Sequence, residues 1–221
     1  MLKYSVALCT YNGEKYIIEQ LRSIAEQTIR PSQIIISDDG SSDKTIVCAH
    51  EFLSTTGIPF EIVNNKKAKG VTGNFSNAFT FCTEDIIFTS DQDDVWFKNK
   101  AETMLKVFEA HDDALLTFSD GVLVDDKLQP IGSSMWASVG VSKNMLIEKN
   151  WFSYLLNRCL VTGAAMAFKK TLFEESEVIP KSWLHDGWLA WKAVAKKGLY
   201  ACDAQLIMYR QHDNNVVGMS S

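Results

Sequence analysis

The pattern that most constrains the fold is an alternation of two hydrophobic periods across residues 4–90. Short apolar runs occupy 4–9 (YSVALC), 34–36, 60–63 and 86–90. Between the first two, Ile17, Leu21, Ile24 and Ala25 recur at helical spacing and predict an amphipathic helix over 14–27. Segments 44–54 and 74–82 read as the next two helices. Strands that trade with helices in this way predict an α/β fold: a parallel sheet with helices on both faces.

The remainder is less regular. A helix is expected over 98–110, with Ala101, Leu105 and Phe108 facing inward. Two short strands, 115–118 and 122–124, are expected on either side of Ser119-Asp120-Gly121. Residues 129–149, rich in Ser and Gly, read as irregular. A helix over 151–157, a strand over 162–168, a helix over 185–197 with Gly198 as its C-cap, and a strand over 205–209 complete the pattern. No repeat, low-complexity tract or linker divides the 221 residues, so one sizeable domain is expected.

Composition removes several function classes. A net charge of -5 gives no electrostatic footprint for nucleic acid. No apolar run approaches the 18 or so residues that span a bilayer, and 1–5 lacks a signal-peptide core, so a cytoplasmic protein with at most peripheral membrane association is expected. Cys9, Cys48, Cys82, Cys159 and Cys202 are odd in number and contain no C-x-x-C pair. They read as reduced thiols rather than a disulfide framework or zinc site.

The chemistry-bearing residues follow the apolar runs. Asp91-Gln92-Asp93-Asp94 ends the run at 86–90, and open α/β sheets bind ligands at the carboxyl ends of their strands. Three carboxylates this close repel one another unless a cation neutralises them; Mg²⁺ or Mn²⁺, hard ions that also bind phosphates, suit that donor set. Thr10-Tyr11-Asn12-Gly13-Glu14 and Asp38-Asp39-Gly40-Ser41-Ser42-Asp43 occupy equivalent places and are expected to line the same crevice. Asp38 to Ser41 also has the composition of a tight turn, and Asp43 that of a helix cap. Asp186 opens the helix at 185, where cap and functional carboxylate are equally open readings from spacing alone. Trp183 and Trp188 are candidates for stacking on a sugar, Trp191 for the core, and His50 and His111 for the surface.

Together these segments resemble the family-2 nucleotide-sugar glycosyltransferases. The resemblance is carried by 5–13, by Leu21-Arg22-Ser23-Ile24 and Gln27-Thr28, by 38–43 and by 91–94, in matching order over roughly residues 3–218. Thr162-Gly163-Ala164-Ala165, His185-Asp186-Gly187-Trp188 and Tyr209-Arg210-Gln211-His212 further resemble the bacterial branch that adds rhamnose and similar sugars to surface polysaccharides. The resemblance implies a GT-A fold, Rossmann-like with a small additional sheet, a nucleotide-binding part at about 1–95 and an acceptor part at about 96–221. It implies a metal-dependent, inverting transfer from a UDP- or dTDP-sugar to a saccharide or lipid-linked saccharide. Thr10, Tyr11 and Asn12 would hold the nucleotide, with Glu14 nearby, and Asp38 and Asp39 would face its base. Asp93 would bind the metal and Asp91 the ribose or metal. His212 would contact metal or diphosphate, with Arg210 beside it, and Asp186 would be the general base. The acidic residue usual before that base is His185 here. Relatives commonly continue beyond the point where this sequence stops, so acceptor or membrane elements are expected there. Two rivals are a non-catalytic nucleotide-sugar-binding protein and a sugar nucleotidyltransferase. The second usually carries a glycine-rich basic phosphate loop, and Thr10 to Glu14 is not one.

Overall fold

The apolar runs become strands: three of them, 4–9, 34–36 and 86–90, are buried on both faces, while 60–63 forms the sheet edge. A computed structural model of the chain describes residues 2–66, 68–156, 160–176 and 178–212. The first three parallel strands are β1 (Tyr4–Thr10), β2 (Gln33–Asp38) and β3 (Phe60–Asn64). They are linked through helices α1 (Ile17–Ala25) and α2 (Thr45–Ser54). Helix α3 (Val71–Phe81) then leads to β4 (Ile86–Ser90), which pairs parallel with β1 on the side away from β2.

Side chains of a strand alternate between faces, and the core divides accordingly. Val6, Leu8, Ile34, Ile36 and Phe88 pack with Ile17, Leu21 and Ile24 of α1 and Leu53 of α2. Ala7, Ile35 and Ile87 pack with Phe75 and Phe79 of α3 on the opposite face. Each such aliphatic or aromatic side chain contributes roughly 1.5–3 kcal/mol on full burial. Near-continuous apolar runs are what a sheet covered on both faces requires.

After β4 come the short β5 (Val95–Trp96), α4 (Lys100–Ala110), β6 (Leu116–Val124), β7 (Pro130–Ser134), α5 (Met135–Ser138), α6 (Lys143–Glu148) and α7 (Trp151–Leu155). A 3₁₀ turn at Gly163–Ala165 then leads into β8 (Met166–Lys169), α8 (Lys170–Glu174), α9 (His185–Ala195) and β9 (Leu199–Arg210). Among the described residues the strands form one mixed sheet in the order β3-β2-β1-β4-β8-β6-β9-β5, with β7 beside β6. β8 runs antiparallel to both β4 and β6, while β9 runs parallel to β6. No described helix is long and apolar enough to cross a membrane.

Four expectations need correction. The two strands around Ser119-Asp120-Gly121 are one strand, β6. Gly121 is there for close approach rather than a turn, since a Cβ would stand 2.6 Å from Ile207 Cγ2. The stretch 129–149 is not irregular: it holds β7, α5 and α6. Its serines are helix caps, with Ser134 Oγ accepting from Ala137 N and Ser142 Oγ from Met145 N. The strand expected over 162–168 begins as the 3₁₀ turn and becomes β8 only at Met166. Beyond α9 the left-handed residue is Lys197, at φ 60°, not Gly198. Gly198 instead fits a close approach in which a Cβ would lie 2.6 Å from Asp113 O. Cys159 and the chain from 213 onward lie outside the described residues.

Candidate active site

Strand order fixes where the site can be. β2 and β3 extend from one side of β1, and β4 lies on the other, so the topology reverses between β1 and β4. Crevices in open α/β sheets form at such a switch point. Thr10 to Glu14 leave β1 there and Asp91 to Asp94 leave β4.

The loops are fastened to one another. The Gln92 amide spans the switch point, with Oε1 accepting from Tyr11 N at 2.9 Å and Nε2 donating to Tyr11 O at 3.0 Å. Gly13 is required beneath it, because a Cβ would stand 2.1 Å from Gln92 Oε1. Asn12, at φ 49°, accepts from Ser42 N at 2.8 Å, and its own N–H donates to Ser41 Oγ at 2.9 Å. Glu14 Oε2 accepts from Lys44 N, while Glu14 N donates to Asp43 Oδ2.

The paired aspartates after β2 have separate jobs. Asp38 is buried, and its carboxylate accepts from Thr10 Oγ1, Gly40 N, Ser41 N and Ser41 Oγ at 2.6–2.8 Å. It is the anchor of the turn. Asp39 stands at the rim, accepting from Asn65 Nδ2 and Gly70 N, each at 2.7 Å. Tyr11 is 60% exposed and free to meet a ligand face.

In the tetrad, burial first, and then the charges of Asp93 and Asp186, push the Asp91 carboxyl up to about 7; Lys100 opposes them. Asp93 Oδ2 meets His212 Nε2 at 2.9 Å, and the His212 ring stacks on Tyr16 at 5.1 Å. Asp94 is buried; its Oδ1 accepts from Arg210 N at 3.0 Å, and burial holds its carboxyl well above the usual range. Arg210 is buried too, its guanidinium donating to Asp93 O, Asp126 O and Glu19 Oε2 at 2.5–2.7 Å. That arrangement fastens the end of β9 under the tetrad. Among the described residues no three His, Cys, Asp or Glu side chains converge as a ready-made metal cage. Mg²⁺ and Mn²⁺ fit what is present, since such ions commonly take one or two carboxylates and complete their shell with substrate phosphates. The Asp93 and Asp186 charges beside Asp91, which add to burial in raising its carboxyl, are what such an ion would relieve.

Asp186 reaches the same crevice from the other half. It is not the cap of α9: Leu184 holds that position, without a side-chain hydrogen bond. Asp186 lies in the first turn, where the helix dipole favours a carboxylate. Its Oδ2 accepts from Gly163 N at 2.9 Å and its Oδ1 from Gly187 N at 2.6 Å. A small cavity of about 60 Å³ is lined by Asp91, Asp186, Gly163, His185 and Tyr209 among others, so it brings the two carboxylates to one space. A larger cavity, about 400 Å³ between α4, α6 and β9, contains none of the expected site residues. His185 is buried and stacked on Phe75 at 4.0 Å, and burial pushes its pKa down. Trp188 meets Trp183 edge-on at 5.7 Å, and Trp183 in turn meets Trp191.

Sequence reasoning missed Gln92 as the bridge, Asn65 and Gly70 beside Asp39, and the Tyr16–Asp126–Arg210 support under His212. Only Gln92 carried a signal, its place inside the tetrad. The others are far from their partners along the chain.

Comparison with known proteins identifies the family and the fold. Residues 5–176 match the model of glycosyl transferase family 2. The dTDP-rhamnosyl transferase RfbG of Shigella flexneri is 29% identical over 96% of this chain and 73% of its own length. The UDP-Glc:alpha-D-GlcNAc-diphosphoundecaprenol beta-1,3-glucosyltransferase WfgD of Escherichia coli is 29% identical over 47% of this chain and 40% of its own. Among solved structures, Staphylococcus aureus TarS 1-349 in complex with UDP-GlcNAc superposes with TM-score 0.73 at 16% identity, over 97% of this chain and 60% of that one. Glucosyl-3-phosphoglycerate synthase from Mycobacterium tuberculosis, with Mn²⁺ and UDP, gives 0.64 at 15%, over 96% and 73%. The chain thus spans about three-fifths of the TarS structure, and the fold is of the GT-A kind. With the family model covering most of its length and a crevice built at the expected switch point, this chain belongs to glycosyl transferase family 2.

Proposed function

We propose that the protein transfers a sugar, with inversion, from a nucleoside-diphosphate sugar to a hydroxyl of a saccharide acceptor in bacterial surface-glycan synthesis. The observation that carries this reading is the small cavity shared by Asp91 and Asp186. Both carboxylates line that one space, which supports a reading in which Asp91 serves the donor and Asp186 the acceptor. A UDP- or dTDP-sugar is the donor, in keeping with relatives named for dTDP-rhamnose, UDP-glucose and UDP-GlcNAc.

Thr10, Tyr11 and Asn12 shape the nucleotide seat, and Asp39 rather than Asp38 meets the base, because Asp38 is buried with two hydrogen bonds on each oxygen, whereas Asp39 stands at the rim with one on each. Asp93, with Asp91, would hold Mg²⁺ or Mn²⁺, which supplies charge stabilisation to the departing diphosphate when bound, and His212, bonded to Asp93 Oδ2, would stand beside the ion or the diphosphate. Glu14 and Arg210 act by bracing loops. Asp186 takes the proton of the attacking hydroxyl, a general-base role typically worth about 10²–10⁴-fold. Attack on the face opposite the leaving group gives inversion without a covalent intermediate. Residues up to about 95 form the donor part and the remainder the acceptor part.

The test is product release from dTDP-rhamnose, UDP-glucose, UDP-GlcNAc and GDP-mannose with Mn²⁺ and a panel of p-nitrophenyl glycosides. The expected result is nucleoside diphosphate with an inverted glycoside from a dTDP or UDP donor. Pyrophosphate release, or tight donor binding without turnover on any acceptor, overturns it. Asp93→Ala should abolish the melting-temperature gain that UDP or dTDP gives only with Mn²⁺, while the apo protein melts as before. If the gain survives, the metal assignment fails.

A further inference from the structure

The turn that presents the Gly163 N–H to Asp186 has its carbonyls held from outside. Thr89, fully buried in β4, brings Oγ1 to Gly163 O, and the same oxygen lies 3.1 Å from Met166 O. Lys100, the first residue of α4, is also fully buried, and its Nζ donates to Ala164 O at 2.7 Å. The Lys100 ammonium lies over the Trp96 ring, 4.1 Å from its centroid. The turn closes on itself through Ala165 N to Thr162 O at 2.9 Å.

The two clamps come from particular places. Thr89 stands two residues before Asp91, and Lys100 six residues after Asp94. The elements on either side of the acidic tetrad therefore hold the turn that orients the base. A buried lysine is costly, and here the Ala164 carbonyl, the Trp96 face and the nearby charges of Asp94 and Asp91 together offset that cost.

We propose that Lys100, with Thr89, is a positioning residue for transfer: it ties the 163–165 turn, and through Gly163 N–H the Asp186 carboxylate, to the loop that carries Asp91 and Asp93. The proposal rests on Asp186 acting as the base. The donor loop and the base are then held as one rigid unit, so that the attacking hydroxyl and the leaving group stay in line. Misplacement of a reacting group by about 1 Å can cost about 10²-fold.

Lys100→Met keeps the stem over Trp96 and removes the ammonium; Thr89→Val keeps the shape and removes the hydroxyl. With dTDP-rhamnose and UDP-glucose as donors, each variant is expected to bind dTDP or UDP with Mn²⁺ within about threefold of the parent. Each is expected to lose about 10- to 100-fold in kcat with little change in donor KM. Lys100→Arg should recover part of that loss. The deciding arm places Lys100→Met in the Asp186→Asn background. If Lys100 works through Asp186, it adds little further loss there. Full multiplication of the two losses, or parental kcat in both single variants, overturns the proposal. If Lys100→Met fails to fold, Thr89→Val in the same background decides by the same criterion. Parental transfer by Asp186→Asn alone marks failure of the base assignment instead, which the single variant reads separately.

Discussion

The part of the crevice built by residues up to about 95 and the part built after them, proposed above as its donor and acceptor halves, treat their polar groups differently. Around β1, β2 and β4 the expected ligand-facing residues already bond to one another: Asn12 to Ser42, Glu14 to Lys44, Asp38 to its own turn. Among the described residues seven buried side-chain polar atoms lack a partner. Two, Asn74 Oδ1 and Asp94 Oδ2, belong to the donor half. The other five are on Thr117, Ser119, both nitrogens of His185, and Trp188 Nε1, all in the acceptor half. Buried polar groups are ordinarily paired, so this asymmetry has a cost. It teaches that the first part is preorganised by the chain itself, while in the second His185 and Trp188, on the same helix as Asp186, keep hydrogen-bonding capacity in reserve.

The sharpest way to break that comparison is Gly163→Ala. A Cβ there would stand 2.8 Å from His185 Nε2 and 3.4 Å from Asp186 Oδ2. The side chain must displace the base or its neighbour, so transfer should fall by about 10²-fold. Crowding of this kind costs roughly 1–3 kcal/mol of stability. Steady-state rates and a thermal melt measure both; parental kcat would show that the turn does not set the base.

A smaller effect separates the two aspartates. Asp38→Ala removes the buried acceptor of the Gly40 and Ser41 amides and the Thr10 hydroxyl and should cost about 1–3 kcal/mol in all, since the Gly40 and Ser41 amides lie near solvent. For a domain of this size each kcal/mol lowers the melting temperature by roughly 2–4 °C. Asp39→Ala should melt nearly as the parent yet raise the UDP or dTDP dissociation constant about tenfold, a loss near 1.4 kcal/mol. Calorimetry beside melting curves would reveal the reverse pattern if the assignment is inverted.

Smaller again is Trp188→Phe, which removes an indole N–H that has no partner. Stability should hold or rise slightly, and the acceptor KM should rise a few-fold while the donor KM stays constant. Equal changes in both constants would remove Trp188 from the acceptor side. Smallest is a test that both halves are equally closed beneath the crevice. Burial pushes the thiol of Cys82 up to about 12 and that of Cys202 up to about 11. Neither should react with a thiol reagent at neutral pH until the protein unfolds, as mass mapping of labelled peptides can show.

What the sequence made legible follows the same division. The donor half is local: each strand, its loop and its helix are consecutive, so the period-2 and period-3.6 patterns announce both the elements and the loops that meet. The acceptor half depends on distant partners. Gly121 reads as a turn until Ile207 and Met135 are brought against it. Serines at 134 and 142 read as loop until the helices they cap are seen. Asp186 could not be told from a cap by spacing, because its decisive partner is the Gly163 N–H on another element. Arg210 looked like a ligand contact beside His212, and its burial under the tetrad comes from Glu19, Asp93 and Asp126, spread over the chain.

The account stands most directly on Asp186→Asn, measured by single-turnover transfer from the preferred dTDP or UDP donor. Asn can keep the hydrogen bond from Gly163 N through its amide oxygen and gives up the one from Gly187 N, so the fold and donor affinity should be preserved with a small loss of stability. Transfer should drop by about 10²–10⁴-fold, with the loss in kcat rather than donor KM. Transfer at the parental rate by a folded, donor-binding Asn variant would contradict the central claim that Asp186 is the base of this crevice.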